Sequence, residues 1–576
     1  MGSDKFQIGL GNNDNSIRNN AESDFIAFWN EKAKLLTWFK PWVKTIEWNP
    51  PFAKWFVGGK INACYNALDV NQQEKSSKTA IFWEGEDGSS RIITYGDLYT
   101  HVKKFANALK SLGVKSGDRI TIYLPMVPEL VIAMLACSRI GAIHTVVFSG
   151  FSAISLKDRV EDSGSKIIIT ADGGFRKGKL IKLKEIVDES ASSISSVEHV
   201  VVLRRANNEI SLNEKDCLWS DLMSTSSEEC DAEKLDSTHP LYILYTSGTT
   251  GKPKGVLHGT GGYLTHLYST FKWAFDIKDN DVYFCTADIG WVTGHSYVTY
   301  GPLLHGATQV MYEGAPDHPT ASRMWDIIQK YSVTIFYTTP TALRMFMKFG
   351  DDIPNSFDLS SLRLLGTVGE PINPEVWKWY FDVIGKNKCP IIDTWWQTET
   401  GGMMISNLPG IETIPLKPGS ATQPIPGVDI AVVDDAGHEV ENGTKGSLII
   451  RKPWPGMLLT LWGDDDKYKD VYWSKYDGMY YPGDYAIKDN DGYLWLLGRS
   501  DDVLKVAGHR IGTAELESSL VSHNDVAESA VCGIPDEIKG ESLIAFVVLK
   551  EDVITSIKTL RTELIETIRN GIGPIA

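Results

Sequence analysis

Residues 241–245, Leu-Tyr-Ile-Leu-Tyr, run directly into Thr246-Ser-Gly-Thr-Thr-Gly-Lys-Pro-Lys-Gly255, and this junction decides how the chain is read. The first part has the length and composition of a buried strand. The second mixes hydroxyl side chains with glycines and carries Lys252 and Lys254. Such a loop exposes backbone N–H groups and lets an oxyanion approach them closely, the usual way of holding phosphate. It is not the P-loop of the common NTPases, because only two residues separate Gly248 from Gly251, and Pro253 stands where a hydroxyl must bind magnesium. Gly173-Gly-Phe-Arg-Lys-Gly178-Lys179-Leu180 fails the same pattern at Leu180 and reads as a basic loop. Gly9-Leu-Gly11 lies in a polar tail and does not read as a dinucleotide loop.

Outward from the junction, strands and helices alternate. Residues 120–123 form an expected strand, 127–139 a helix opened by Pro128, and 143–148 a second strand, a βαβ unit that implies parallel sheet. Further strands are expected at 166–170, 200–203, 242–245, 333–337, 362–367 and 391–394. After Gly427 the character changes to short hairpin-like strands, 429–433, 447–451 and 493–497, with Asp-Asp, Asn-Gly and Asp-Gly turns. Residues 499–502, Arg-Ser-Asp-Asp, read as a linker, followed by strand 503–506, helix 513–522, strands 527–533 and 543–549, and a helix from 556. The expected architecture is α/β: a flexible tail over 1–24, then a large N-terminal domain over 25–500 with parallel-containing sheets and a small β subdomain. A small mobile α+β domain over 501–576 follows, incomplete at the end of the chain.

With 57 basic and 73 acidic residues the chain carries −16, which argues against nucleic acid or an anionic membrane as partner. An anionic substrate must then be met by local basic groups. The seven cysteines are scattered without C-x-x-C or metal spacing, so a reducing, cytoplasmic setting is expected. No signal peptide is visible, and the apolar run 130–137 is too short to span a bilayer. Trp29, Trp38, Trp42, Trp48 and Trp55 read as packing of an N-terminal segment on the main body.

Three more segments carry chemistry. Asp393-Thr-Trp-Trp-Gln-Thr-Glu-Thr-Gly401 closes a strand with two indoles, hydroxyls, an amide and a carboxylate, too polar for core and too aromatic for a plain loop. Gly369-Glu370-Pro371 is a turn after the strand 362–367. Tyr481-Pro-Gly-Asp484 sets on a tight turn a carboxylate able to accept from both hydroxyls of a ribose, and Arg499 offers a permanent charge in fork geometry.

In this order the segments resemble the adenylate-forming (AMP-binding) superfamily of acyl-CoA synthetases, luciferases and peptide-synthetase adenylation domains. Trp291-Val-Thr-Gly-His295, the pair Trp395-Trp396, and Leu257-His-Gly-Thr-Gly-Gly-Tyr263 narrow the resemblance to the acetyl-CoA synthetase family and its short-chain relatives, from about residue 25 to the last residue. The resemblance implies ATP-dependent activation of a small carboxylic acid to acyl-AMP, with pyrophosphate released, and transfer of the acyl group to CoA. It implies catalytic roles for Thr246, Lys254, Glu399 and Arg510. Nucleotide contacts are implied at Gly369, Glu370, Pro371, Asp393, Thr394, Trp395, Trp396, Gln397, Thr398, Asp484, Arg499 and Arg510, with Mg2+ at Glu399. Val292, Thr293, Val368 and Trp396 would wall the acyl pocket, its indole floor leaving room for acetate or propionate. CoA would meet Arg176, Lys177, Gly178, Lys179, Thr293, Asp317, Ala507 and Arg569.

Lys179, Ala507 and Asp317 depart from the Arg, Ser and Asn of the family pattern, so the CoA contacts there differ in kind. Asp501 maps onto the family's hinge, and Val521, His523 and Val526 onto a further metal site, where a helix-ending His competes as a simple cap. The family's adenylating lysine belongs to a segment beyond Ala576; Lys505 and Lys550 are not its counterparts by order. Rival expectations are a propionate or small hydroxy acid ligase, an enzyme with a carrier-protein acceptor, and a catalytically impaired nucleotide- or acyl-binding regulator. A homo-oligomer is compatible with all of them.

Overall fold

The structure is a computed structural model that describes residues 4–14, 16–191, 194–246, 253–500, 503–506, 509–536, 540–550 and 553–571. The centre of the glycine-rich loop (247–252), the expected hinge Asp501, and Ala507 lie outside the described residues.

Two large sheets form the body. One has eight strands in the order Asp216–Leu218, His199–Leu203, Ile167–Ala171, Arg119–Tyr123, Ile143–Val146, Pro240–Thr246, Lys254–Gly259, Thr460–Leu461. Its first six strands are parallel and its last two pairings antiparallel. The other has seven, in the order Ile391–Asp393, Leu364–Thr367, Ile335–Thr338, Val282–Cys285, Thr308–Glu313, Thr79–Gly85, Ser90–Thr94, parallel except at the last pair. Parallel strands are covered on both faces and therefore read as continuous apolar runs; Ile167–Ala171 and Ile143–Val146 are buried along their whole length. Pro128 occupies the first turn of the helix Pro128–Arg139, where its missing N–H costs nothing, and every residue of the helix but Glu129 is buried. Arg139, 2 % exposed, is paired with Asp69 at 2.8 Å.

An antiparallel sheet of Ile430–Val433, Lys445–Ile450, Asp484–Lys488 and Leu494–Arg499 forms the expected β subdomain. Beyond it, His509–Gly512, Val503–Val506, Gly540–Leu549 and Val526–Asp536 make a four-stranded sheet, accompanied by the helices Thr513–Val521 and Ile557–Gly571. The fold class expected from the sequence, α/β with a small C-terminal α+β unit, is the one observed.

Within the segment expected as a tail, 1–24, the described residues make contacts with the body. Phe6 bridges to Leu416 and packs on Trp377 and Phe381, each 5.1 Å away. Ser16–Ser23 is helical, and Arg18 from it makes a fork on Glu412 at 2.9 and 3.0 Å. The polar composition there is spent on these tertiary hydrogen bonds. Trp29 is fully buried, its indole N–H donating to the Gly427 carbonyl at 3.0 Å, in keeping with the packing reading of the early tryptophans.

Candidate active site

The glycine-rich, 369–371 and 393–401 segments sit at the carboxyl ends of parallel strands, where open α/β sheets place their ligands, while Asp484 and Arg499 lie in the antiparallel subdomain. Thr246 ends one strand and lies opposite Lys254 across the antiparallel pair. Thr246 Oγ1 is buried with no hydrogen-bond partner among the described residues. Lys254 Nζ donates to the Tyr472 hydroxyl at 3.1 Å, and that hydroxyl donates to Glu399 Oε1 at 2.5 Å. Burial, then the adjacent Glu399 carboxylate, push the Tyr472 hydroxyl far above the ordinary phenol range, so it keeps its proton and remains a donor. Tyr472 stacks on Tyr480 with centroids 5.4 Å apart and ring planes within 9°. Sequence reading missed Tyr472. The signal was present in the helix Asp465–Trp473, an otherwise charged helix in which Tyr468 and Tyr472 are buried four residues apart.

Asp393 ends the strand Ile391–Asp393, accepts from Thr367 Oγ1 at 2.9 Å, and burial raises it to about 7. The Thr394 hydroxyl is fully engaged, bonded to the Thr367 carbonyl at 2.8 Å and to the Tyr337 hydroxyl at 2.7 Å. The backbone that follows is pinned from the core: His258 Nε2 to the Thr398 carbonyl at 2.7 Å, Ser296 Oγ to the Gly401 carbonyl at 2.7 Å, and His266 Nε2 to the Met403 carbonyl at 2.9 Å. Burial pushes both imidazoles down to about 4, so each is neutral and donates from Nε2. Trp395 is held by a backbone bridge to Ile405. Gln397 joins this segment to the β subdomain, donating to Asp484 Oδ2 at 2.5 Å and to the Pro482 carbonyl at 3.0 Å. Arg499 lies opposite Asp484 in the ladder and donates to the Pro482 carbonyl at 2.8 Å.

The Glu370 side chain, in the segment expected to meet the nucleotide, is engaged within the protein. Its carboxylate accepts the Thr341 N–H at 2.7 Å, takes the Thr341 hydroxyl, and pairs with Arg344 at 3.0 Å. The start of the helix Pro340–Lys348 attracts it, as helix N-termini attract carboxylates. Gly369, just before Glu370, has φ +101°.

Val368 (3 % exposed) lies in the main apolar cluster, with Val292 and Trp396 packed against it. Tyr297 meets the Trp396 indole edge-on at 5.0 Å, and the indole N–H is buried without a partner among the described residues. Thr293 is 9 % exposed and sits in the helical turn Val292–Gly294. Gly294 is required there, because a Cβ would lie 2.2 Å from the Ile289 backbone.

Arg176 and Lys179 pair across a two-residue hairpin turn, Lys177-Gly178. Lys177 Nζ is 2.8 Å from Asp317 Oδ2. Arg176 lies 5.8 Å from the Phe148 ring, and Phe148 is 5.9 Å from Trp291, so a half-exposed aromatic track joins the basic loop to Val292 and Thr293. Phe148 and Trp291 were not singled out as ligand-facing residues. Arg569 is exposed in the last turn of the helix Ile557–Gly571. Arg510 lies in the strand His509–Gly512.

Val521, His523 and Val526, expected as carbonyl and imidazole ligands of a further metal, lie at the end of the helix Thr513–Val521 and the start of the strand Val526–Asp536. His523 Nδ1 accepts the Asp525 N–H at 3.2 Å, its Nε2 lies 3.3 Å from Glu563, and its carbonyl takes the Val526 N–H at 3.0 Å. Both ring nitrogens of His523 are thus engaged, and no group of three or more His, Cys, Asp or Glu side chains able to hold a metal occurs among the described residues. No helix there is long and apolar enough to cross a membrane.

Carboxyl-end placement of the strand leading into the glycine-rich loop and of the 393–401 segment, with the Asp484–Arg499 pair of the antiparallel subdomain joined to it through Gln397, defines the class as an α/β nucleotide-binding enzyme. The sequence pattern of the AMP-binding enzymes matches residues 68–462, that of the acetyl-coenzyme A synthetase N-terminus residues 15–67, and that of the AMP-binding enzyme C-terminal domain residues 515–576. Acetyl-coenzyme A synthetases of Chlorobaculum tepidum and Pyrobaculum aerophilum are 54 % and 55 % identical to this chain, each over 96 % of it and 84 % of the relative. That of Streptomyces avermitilis is 55 % identical over 96 % of this chain and 86 % of its own. Among solved structures, the acetoacetyl-CoA synthetase from Streptomyces lividans superposes with a TM-score of 0.87 at 26 % identity, covering 96 % of this chain and 84 % of that one. The chain belongs to the AMP-binding enzyme family, among the relatives of the acetyl-coenzyme A synthetases.

Proposed function

We propose that this chain is an AMP-forming acid–thiol ligase that activates acetate with ATP and passes the acetyl group to CoA. The observation that carries the choice of acid is Trp396: an indole braced edge-on by Tyr297 at 5.0 Å, with Val292 and Val368 in the same cluster, leaves little volume for added methylenes. A carboxylate resists thiol attack because its leaving group would be oxide. Attack of one carboxylate oxygen on the α-phosphorus of ATP expels pyrophosphate and turns that oxygen into part of AMP. The CoA thiolate then adds to the acyl carbon, and AMP leaves.

Each residue has a task in these steps. The loop ending at Lys254 meets the phosphates, Asp484 accepts from the ribose hydroxyls, and Arg499 places a permanent charge near ribose and α-phosphate. Trp395 and the 369–371 backbone flank the base. Glu399 Oε2 and Thr246 Oγ1 suit Mg2+, a hard cation that takes few protein oxygens; the orphaned, buried Thr246 hydroxyl is what supports this. When bound, Mg2+ would neutralise phosphate charge. Arg176, Lys177 and Lys179 meet the CoA phosphates, and the Phe148–Trp291 track guides the pantetheine arm. We place the boundary between a body over 25–500 and a lid over 501–576, hinged at Asp501, with Arg510 brought to the nucleotide by lid closure, which would also exclude water from the adenylate. Scattered thiols and the absence of a C-x-x-C support a cytoplasmic setting. Pyrophosphate release measured over acids of two to five carbons tests the reading: acetate should give the highest kcat/KM, and a maximum at four or five carbons would refute the assignment of the pocket.

A further inference from the structure

The hairpin turn that carries the basic loop is not stable on its own chemistry. Its two central residues, Lys177 and Gly178, both have positive φ, +51° and +70°. Two-residue hairpin turns of this kind favour Asn, Asp or Gly at both positions. A lysine in the left-handed region is strained, because its Cβ crowds the following carbonyl. Something outside the turn has to hold it.

That anchor is Glu86, on the turn between the strands Thr79–Gly85 and Ser90–Thr94. Its side chain is 1 % exposed. Oε1 accepts the Gly178 N–H at 2.6 Å, and Oε2 accepts the Ala315 N–H at 2.9 Å. Ala315 begins the loop that carries Asp317, the residue paired with Lys177. One buried carboxylate therefore ties two loops, distant in sequence, into a single basic lip. Its own turn is fixed in turn by Asp87, which takes a fork from Arg205 at 3.0 and 3.1 Å, while Arg205 Nε reaches Glu313 at 2.7 Å.

We propose that Glu86 is a positioning residue for CoA: it sets the spacing between Lys177 and Asp317, and hence the geometry in which the lip meets the CoA phosphates. The inference rests on the assignment of this loop to CoA made above. Only a carboxylate suits the position, because two backbone donors need two acceptors. Glutamine supplies one acceptor and one NH2, so one of the two N–H groups would face another donor. A buried donor left unpaired carries the desolvation penalty of that group, so Glu86→Gln should raise the KM for CoA about fivefold to a hundredfold.

The test separates the two half-reactions in the intact protein. Acetate-dependent ATP–pyrophosphate exchange, run without CoA, should keep its wild-type rate and KM for ATP in Glu86→Gln, while the KM for CoA in the full reaction rises. Glu86→Asp keeps the charge but draws the carboxylate back by one methylene, so it can reach only one of the two loops, and it should show the same split. An unchanged KM for CoA in both variants, with Arg176→Ala and Lys177→Ala raising it, would overturn the role of Glu86 and leave the CoA assignment standing. If none of the four variants moved the KM for CoA, the CoA assignment itself would fall. Loss of exchange in both Glu86 variants would make Glu86 a residue of the general fold and overturn the proposal.

Discussion

Tyr472→Phe removes one oxygen atom and leaves the ring. The ring stays stacked on Tyr480 at 5.4 Å, so no cavity opens and apolar packing is retained. What disappears is a chain of two hydrogen bonds, Lys254 Nζ to the hydroxyl at 3.1 Å and the hydroxyl to Glu399 Oε1 at 2.5 Å. Glu399 is only 8 % exposed, so water does not readily replace the lost donor. A hydrogen bond to a charged group is worth about 1.5–3 kcal/mol, which corresponds to roughly a tenfold to hundredfold change in an equilibrium or rate constant. Both partners of Tyr472 are assigned to the phosphates and magnesium, so the loss should fall on adenylation. Single-turnover formation of acetyl-AMP should slow by that factor and demand more magnesium, and the binding of ATP measured by calorimetry should become more dependent on magnesium concentration. Conversion of supplied acetyl-AMP and CoA to acetyl-CoA should stay within about twofold of wild type, because Glu399 and Lys254 meet no leaving pyrophosphate in that step. Equal losses in the two half-reactions, or none in either, would refute the role given to this chain of contacts.

Three further outcomes are expected. Trp396→Gly should admit acids of four to six carbons and weaken acetate use, each added methylene being worth about 1–3 kcal/mol in an apolar pocket; chain-length profiles of kcat/KM check it. Asp317→Asn should release Lys177, which is 60 % exposed, from its ion pair. Exposed pairs contribute about 0.2–1 kcal/mol, so the KM for CoA should fall by no more than roughly fivefold, and the gain should vanish at high salt. Asp393 lies near 7 in the folded protein against an ordinary value of 3.8, so between these values the folded state holds a proton that the unfolded chain has lost. Stability should therefore fall as pH rises from 4 to 7. Asp393→Asn, which can still accept from Thr367, should flatten that slope in denaturant titrations at a series of pH values.

Much of this was legible before any coordinates. The strands 120–123, 200–203 and 391–394 were readable because both faces of a parallel sheet are covered, which turns a strand into an unbroken apolar run. The 393–401 segment declared itself by mixing indoles with hydroxyls and a carboxylate at a strand end. The legible signals were local in sequence, and the illegible ones were long-range. Nothing in the sequence says that Glu370 turns to the start of a neighbouring helix, or that His523 is used on both ring nitrogens. The N-terminal tail looked loose because its polar residues carry no period, yet Arg18 finds Glu412 394 positions away. Tyr472 and Glu86 sit in stretches that read as charged surface, and their roles exist only through Glu399, Gly178 and Ala315, brought to them by the fold.

Acetate labelled in its carboxylate with 18O, supplied with ATP and CoA, follows the atom on which the proposed chemistry turns. Activation through acetyl-AMP requires one acetate oxygen to end in the phosphate of AMP. Mass spectrometry should therefore find AMP carrying a single 18O for each acetyl-CoA formed, with unlabelled pyrophosphate. Label in inorganic phosphate, accompanied by ADP in place of AMP, would contradict the adenylate route and with it the roles assigned to Glu399, Asp484 and Arg499.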